Sequence, residues 1–338
     1  MWKVSVEMSI QCFPAFSLPE GLRAEYEKLL QAAGLRDEYD ADVTVLSFDD
    51  DGHLLACGSL HATVLKQIAV SADAEGLGLA GEIVTELVTE AAHRGQTHLF
   101  LFTSPDHATV FSSLGFFPVI STGEMLMMEN RRDGLERYLS SLPKLSGRVG
   151  CVVCNCDPFT LGHRYLIETA ASMCDNVYVF VVSEDLSLFS AEDRYKLVCA
   201  GTADLKNVTV VRTDAYLISR ATFPTYFIKE KEQCSHAACE LDVALFAGRI
   251  APYLGISVRF VGEEPFDPIT ADYNRCLAAV LPAHGIRLEI IQRFCGISAR
   301  EVRKMIKEGR LREAKELLPE TTYEYCVRHF GAGAGIPG

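Results

Sequence analysis

The chain is 338 residues long, 49% hydrophobic and 23% charged, with a net charge of -13, which allows about two domains and a sizeable buried core. The acidity argues against non-specific nucleic-acid binding, although a local basic site for a nucleotide is compatible with it. No apolar run reaches the roughly 18 residues of a bilayer-spanning helix, and the N-terminus has no basic region followed by a long apolar stretch; this predicts a soluble, cytoplasmic protein without a membrane partner.

After a poorly patterned opening, Leu22, Tyr26, Leu29, Leu30 and Ala33 fall on one face of an amphipathic helix over 20–34. Segments 42–48 and 54–60 are strand-like and are separated by Asp51-Gly52, a strong hairpin signal; 64–70 follows as a third strand. Ala74-Glu75-Gly76-Leu77-Gly78-Leu79-Ala80 then forms a glycine-rich loop that opens a helix through Ile83, Leu87 and Val88. Segment 98–103 reads as another strand, ahead of Ala108-Thr109-Val110-Phe111-Ser112-Ser113-Leu114-Gly115-Phe116.

This order of elements, with its late Leu114-Gly115-Phe116, resembles a GNAT acetyltransferase domain over residues 1–128. The resemblance implies an α+β fold in which the loop carrying Gly76, Gly78 and Ala80 receives a coenzyme-A-like arm. The family's loop usually begins with Gln or Arg. Here Glu75 takes that place, and a carboxylate repels a pyrophosphate. The expectation is a domain that docks the arm without transferring acetyl itself; in the alternative, Gly76 and Gly78 serve tight packing only. Residues 129–147, with Asn130 to Gly134, a short helical pattern, then Pro143, Ser146 and Gly147, read as a helical linker. Residues 331–338 read as a flexible tail.

Between 148 and 330 the apolar segments alternate between strand and helix: 149–154, 160–173, 176–183, 191–200 and 207–211. Such alternation predicts a Rossmann-like parallel sheet covered by helices, with ligands at the carboxyl ends of the strands. The first such loop is Asn155-Cys156-Asp157-Pro158-Phe159-Thr160-Leu161-Gly162-His163. Pro158 pre-sets its turn, the free N–H groups and positive dipole end of the following helix attract phosphate oxygens, Gly162 permits close approach, and His163 offers an imidazole proton. Thr160-x-Gly162-His163 resembles the T/HxGH signature of the nucleotidyltransferase superfamily, whose enzymes act at the α-phosphate of a nucleoside triphosphate. Segment 155–168 resembles the start of the second domain of the citrate lyase ligase family.

In the second loop, 183–189, and the helix after it, Arg194 reads either as a phosphate contact or as a solvated ion pair with Asp193. Segment 221–227 resembles the same family, which implies Thr and Tyr groups lining an acid pocket. A strand over 257–261 leads into Gly262-Glu263-Glu264-Pro265-Phe266-Asp267-Pro268, whose carboxylates fit ribose hydroxyls, a hydrated Mg²⁺ or a plain acidic turn. After a strand over 286–291 comes Gly296-Ile297-Ser298-Ala299-Arg300-Glu301-Val302-Arg303. Ser298 with Glu301 has the spacing of a capping box, which needs no ligand. The stretch equally resembles the I-S-x-x-x-[VI]-R motif that holds the β- and γ-phosphates, with Arg303 as the cation and Ala299-Arg300 where a second hydroxyl is common.

The twelve cysteines, without a secretion signal, read as reduced thiols. Cys151, Cys154 and Cys156 imitate a metal cluster but lie on and beside a buried strand, and Cys234, His236 and Cys239 lack a second half. Buried thiols are expected at both places.

The likeness to the citrate lyase ligase family covers nearly the whole chain. It implies a ligase that uses ATP to activate acetate as acetyl-AMP, releasing pyrophosphate, and then acetylates the thiol of the coenzyme-A-derived prosthetic group on the citrate lyase acyl carrier subunit. His163, Thr160 and Arg303 would be catalytic. Asn155, Asp157, Pro158, Phe159, Gly162, His163, Gly262, Glu263, Ile297, Ser298 and Arg303 would bind the nucleotide, with Mg²⁺ carried mainly by ATP and no protein metal site. Two alternatives stay open: an adenylyltransferase acting on a phosphopantetheine-type acceptor, and a non-catalytic coenzyme-A-binding regulatory protein.

Overall fold

The structure is a computed structural model that describes residues 9–14, 17–183, 188–217, 231–264 and 268–331. The expected acid-pocket segment 221–227, residues 265–267 of the acidic turn and the tail after Gly331 lie outside the described residues. The chain forms two compact units, Met1–Gly134 with Thr222–Leu241, and Leu135–Ala221 with Asp242–Gly338. No helix among the described residues is long and apolar enough to cross a membrane.

The first unit holds β1 (Ser9–Pro14), α1 (Glu20–Ala32), β2 (Val43–Phe48), β3 (Leu54–His61), β4 (Val64–Val70), α2 (Leu79–His93), β5 (Phe100–Thr103), α3 (Ala108–Ser113), β6 (Phe117–Ser121) and β7 (Leu126–Glu129). The strands form one sheet in the order β1-β2-β3-β4-β5-β7-β6, antiparallel except between β4 and β5. Successive strand residues face opposite sides. Accordingly Cys57 joins Tyr26, Leu29 and Leu30 of α1, while its neighbour Ala56 joins Leu79, Ile83 and Leu87 of α2. The two helices thus cover opposite faces. The helix, the antiparallel strands, the glycine loop and the second helix follow the expected order. β1 and β6 escaped the sequence pattern because both are edge strands, β1 without a fully buried face and β6 carrying Pro118.

β4 and β5 pair only at Val64↔Phe100 and Leu65↔Leu101. Beyond these pairs β4 bulges against β3, where Gln67 adopts a φ of 57°. A cavity of about 910 Å³ opens there, lined by Ile68, Val70, Phe102 and Met125 and by Gly76 and Ala80 of the glycine loop. Gly76 (φ 80°) and Gly78 (φ 87°) are left-handed, and a Cβ added to either would meet nothing within 4 Å. Backbone conformation therefore requires these glycines, and tight packing does not. Glu75 is exposed.

The second unit begins with α4 (Gly134–Ser141), anchored by buried Leu135 and Leu139. Its further elements are β8 (Val149–Cys154), α5 (Leu161–Met173), β9 (Asn176–Val181), α6 (Ala191–Gly201), β10 (Val208–Arg212), the end of α7 (Lys231–Leu245) from Asp242 onward, the earlier part of that helix counting with the first unit, then α8 (Ala251–Leu254), β11 (Ile256–Gly262), α9 (Pro268–Val280), β12 (Arg287–Ile291), α10 (Ala299–Lys307) and α11 (Glu320–Phe330). All five strands are parallel, in the order β10-β9-β8-β11-β12. The chain enters at the middle strand, builds outward to β10 and then restarts on the other side with β11. That reversal makes the carboxyl end of β8 the topological switch point, where such sheets bind ligands.

β8 and β9 are nearly continuous apolar runs, as strands buried on both faces must be. Ile167 and Ala170 of α5, Leu197 and Val198 of α6, and Val302 and Ile306 of α10 close the core with Phe159. Cys151, Cys154 and Cys156 are buried in this region, and burial pushes the Cys151 thiol up to about 11. Cys239 is buried as well, while the side chain of Cys234 lies outside the described residues.

Phe159 lies directly against Gly201, where an added Cβ would fall inside van der Waals contact with the ring. Gly201→Ala is therefore expected to overpack the floor of the first loop and cost about 1–3 kcal/mol. Urea unfolding checks this; an unchanged midpoint and slope would mean that the ring has room to move.

Candidate nucleotide-binding site

The loop after β8 is braced from within. Arg194 of α6 is fully buried, and its guanidinium donates to the carbonyls of Asn155 (2.8 Å), Val182 (2.8 Å) and Phe189 (3.1 Å) and to Asn155 Oδ1 (2.5 Å). Neither sequence reading of Arg194 holds: it is no solvated partner of Asp193, which instead bonds Ser190, and it is too buried to greet a phosphate. Because the arginine can only donate, the Asn155 amide must turn its oxygen inward. Asn155 Nδ2 has no partner among the described residues, and the residue is exposed.

Asp157 is 6% exposed; its Oδ1 accepts the Phe189 N–H at 3.1 Å. Pro158 follows through a cis peptide bond, and Cys156 has a φ of 53°. Pro158 and Phe159 are buried, so any ligand contact from Phe159 is through its backbone. Thr160 caps α5. Its Oγ1 accepts the His163 N–H at 3.4 Å, while Nδ1 of His163 lies 3.1 Å from the Thr160 N–H and 2.9 Å from Oγ1.

That geometry selects the tautomer of His163. A backbone N–H can only donate, so Nδ1 is the acceptor and the proton of the neutral ring sits on Nε2. Burial, then the charges of Arg293 and Arg303, push the His163 pKa down from 6.5 to about 4. The ring is also stacked on Phe159, with centroids 6.1 Å apart. Near neutral pH the site thus presents a fixed, uncharged N–H donor. Arg164, next in sequence, is turned to the end of α6, where it donates to the Gly201 carbonyl and grips Asp204, just past the helix, through two nitrogens at 2.9 and 2.7 Å.

The second motif meets the first. Arg303 of α10 donates to the Asp157 carbonyl and lies 3.3 Å from Asp157 Oδ2. A Cβ added to Gly162 would lie 3.7 Å from both Cβ and the carbonyl oxygen of Ile297. The first turns of α5 and α10 are therefore adjacent. Ser298 stands at the N-cap of α10 but makes no side-chain cap bond, so the expected capping box with Glu301 is not formed. Its hydroxyl has no partner among the described residues. Gly262 ends β11 opposite Ile291, and exposed Glu263 extends that pairing with an N–H bond to the Ile291 carbonyl at 2.8 Å.

The structure therefore gathers Asn155, Thr160, Gly162, His163, Ile297, Ser298 and Arg303 around two helix starts, with Gly262 and Glu263 at the neighbouring strand end. Gly76 and Ala80 line the cavity of the first unit. Sequence reasoning missed Arg293, whose only signal was its place just past the carboxyl end of β12, and the inward role of Arg194, which a helix position beside Asp193 disguises.

A parallel sheet with a capped T-x-G-H helix start at its switch point and an arginine-bearing helix beside it defines a nucleotidyltransferase-type unit. Residues 149–326 match the citrate lyase ligase C-terminal domain family. The chain is 40% identical over 321 residues to citrate (pro-3S)-lyase ligase of Escherichia coli strain K12, covering 90% of this chain and 91% of that one. It is 38% identical over 318 residues to the ligase of the same name from Klebsiella pneumoniae, covering 90% and 93%. A phosphopantetheine adenylyltransferase of Streptococcus equi subsp. equi strain 4047 is 26% identical over 140 residues, covering 40% of this chain and 84% of that one. The chain belongs to the citrate lyase ligase family, a family of enzymes.

The low pKa of His163 has a definite sign. The unfolded chain takes up a proton near pH 6.5 and the folded site only near 4, so the folded state loses stability as pH falls through that window. In NMR titrations the His163 ring is expected to show an Nε2-protonated tautomer and a midpoint near 4. A midpoint near the free value would overturn the assigned environment.

Proposed function

We propose that this enzyme activates acetate with ATP and passes the acetyl group to a protein-bound thiol, the coenzyme-A-derived arm of the citrate lyase acyl carrier subunit, acting in the cytoplasm. The observation that carries the reading is the meeting of α5 and α10 at the switch point, with Arg303 held on Asp157 and Gly162 against Ile297. Two helix N-termini, one neutral imidazole N–H and one guanidinium suit a triphosphate.

In the first step an acetate oxygen attacks the α-phosphorus, the bond to the oxygen bridging to the β-phosphate breaks, and pyrophosphate leaves. In the second, the thiol sulfur attacks the acetyl carbonyl; its proton is lost, the C–O bond to AMP breaks, and a thioester forms. His163 Nε2–H, Asn155 Nδ2–H and the Ser298 hydroxyl donate to phosphate oxygens, and Arg303 offsets the charge that moves onto the departing pyrophosphate. Thr160 acts by fixing the ring of His163. Asp157 is held by Arg303 and the Phe189 N–H, and Glu264 by Arg293. With these carboxylates already engaged, Mg²⁺ would travel on ATP and keep several waters, as it prefers.

In the first unit the apolar cavity beside Gly76 and Ala80 suits the uncharged stem of the arm better than a diphosphate, with Glu75 and Glu124 among its lining residues. The match to phosphopantetheine adenylyltransferase covers 40% of the chain and the matches to the ligases 90%, which favours acyl activation over AMP transfer to a phosphate.

Exchange of labelled pyrophosphate into ATP is expected to depend on acetate, and His163→Ala to slow it by about 10² to 10³-fold with folding intact. Exchange driven by phosphopantetheine alone would move the assignment to adenylyl transfer; no exchange by folded protein would favour a regulatory protein. Ala80→Trp, which fills the cavity, is expected to leave exchange unchanged and slow acetylation of the carrier thiol at least about tenfold. Unaltered thiol transfer would remove the cavity from the reaction.

A further inference from the structure

Arg293 lies two residues beyond β12, at the same carboxyl end of the sheet as the loop after β8. Three contacts fix this segment. The Glu263 N–H extends the β11–β12 pairing to Ile291 at 2.8 Å. Glu264 and Arg293 form an ion pair at 2.6 Å, with side chains only 14% and 25% exposed. Phe294 stacks on Tyr165 of α5 with centroids 4.9 Å apart and planes at 25°. Arg293 is thereby held between the end of β11 and the helix that begins with Thr160, Gly162 and His163.

We infer that Arg293 is a second phosphate-binding cation of this site, positioned by Glu264 and by the Phe294–Tyr165 stack, so that the triphosphate is gripped from the end of β12 as well as from α10. The inference rests on the ATP-binding reading above and extends it to a residue that neither sequence motif contains.

The charge arrangement supports this. Among the described residues, each arginine that acts on His163 faces a carboxylate: Asp157 for Arg303 at 3.3 Å and Glu264 for Arg293 at 2.6 Å. Both arginines push the imidazole toward neutrality, Arg293 more than Arg303, so its charge acts at the ring that the T-x-G-H motif orients. A guanidinium has five N–H donors in a fixed fork, enough to serve a carboxylate and a phosphate together.

The test is calorimetric binding of Mg-ATP, pyrophosphate and adenosine to the full chain, with thermal melts of each variant. Arg293→Ala is expected to weaken Mg-ATP and pyrophosphate at least about tenfold, the scale of one lost charged hydrogen bond, and to leave adenosine within twofold. Arg293→Lys, which keeps charge but loses the fork, falls between. In Arg293→Ala the NMR midpoint of His163 moves up, because a repelling cation is gone. Mg-ATP and pyrophosphate affinities within twofold of the unmodified enzyme would overturn the inference. Should Arg293→Ala melt below the assay temperature, Arg293→Gln gives the same reading with the bulk retained. If the unmodified enzyme itself binds no ATP, the functional reading fails first; if it exchanges pyrophosphate normally and Arg293→Ala does too, only this inference falls.

Discussion

The candidate site depends on a buried cation. Arg194 places a full positive charge inside the second unit and donates to carbonyl oxygens just past the ends of two adjacent strands, to the Phe189 carbonyl ahead of its own helix and to the Asn155 side-chain amide. A charge removed from water is tolerated only where such acceptors converge. The consequence is rigidity at the place where a phosphate loop needs it. Truncating the side chain would leave four acceptors without their donor. The loop also turns through a left-handed Cys156 (φ 53°), a conformation that L side chains rarely adopt. Asp157 then links this braced loop to the segment just before α6 through Phe189 N–H and to α10 through Arg303.

From that base the electrostatics follow in order. Thr160 pins Nδ1, which leaves His163 with its proton on Nε2. Desolvation and two arginines keep the ring neutral, so it donates without adding charge, while each arginine faces a carboxylate. In the proposed reading, a polyanion would meet cations whose charge the neighbouring carboxylates offset beforehand. It would find donors already aimed, with little reorganisation required during the reaction. The net charge of -13 therefore says nothing against a triphosphate ligand, since the groups that matter lie together at the carboxyl end of the second unit's sheet.

Much of this was legible in the sequence because its signals are local. The strand and helix alternation from Val149 onward rests on apolar periodicity, and the Thr160-x-Gly162-His163 turn on helix-capping chemistry. What stayed hidden depends on tertiary neighbours. Arg194 beside Asp193 looks like any helical ion pair until the strand ends are placed over it, and Arg293 has no motif around it. Ser298 with Glu301 carries the spacing of a capping box, yet the backbone at Ser298 (φ -128°, ψ 127°) goes without the side-chain bond. A spacing that satisfies a local rule does not oblige the chain to use it. The short strands β1 and β6 were invisible for the opposite reason, since edge position and exposure erase the alternation on which strand recognition depends.

Gly162 separates the structural demands on the site from the chemical ones. A Cβ there would sit 3.5 Å from Thr160 Oγ1 and 3.7 Å from Ile297, ordinary contact distances, and the residue is not among those with positive φ. Within a helix, alanine would be more stable than glycine by roughly 0.5–1 kcal/mol. Neither packing nor backbone geometry explains the glycine, in contrast to Gly76 and Gly78, whose left-handed backbones require it. What remains is the space over the first turn of α5, between the N–H groups and the Ile297 loop. Only a group that approaches that backbone closely would need it, and at a helix N-terminus flanked by an imidazole N–H and Arg303, an anionic oxygen has the matching chemistry.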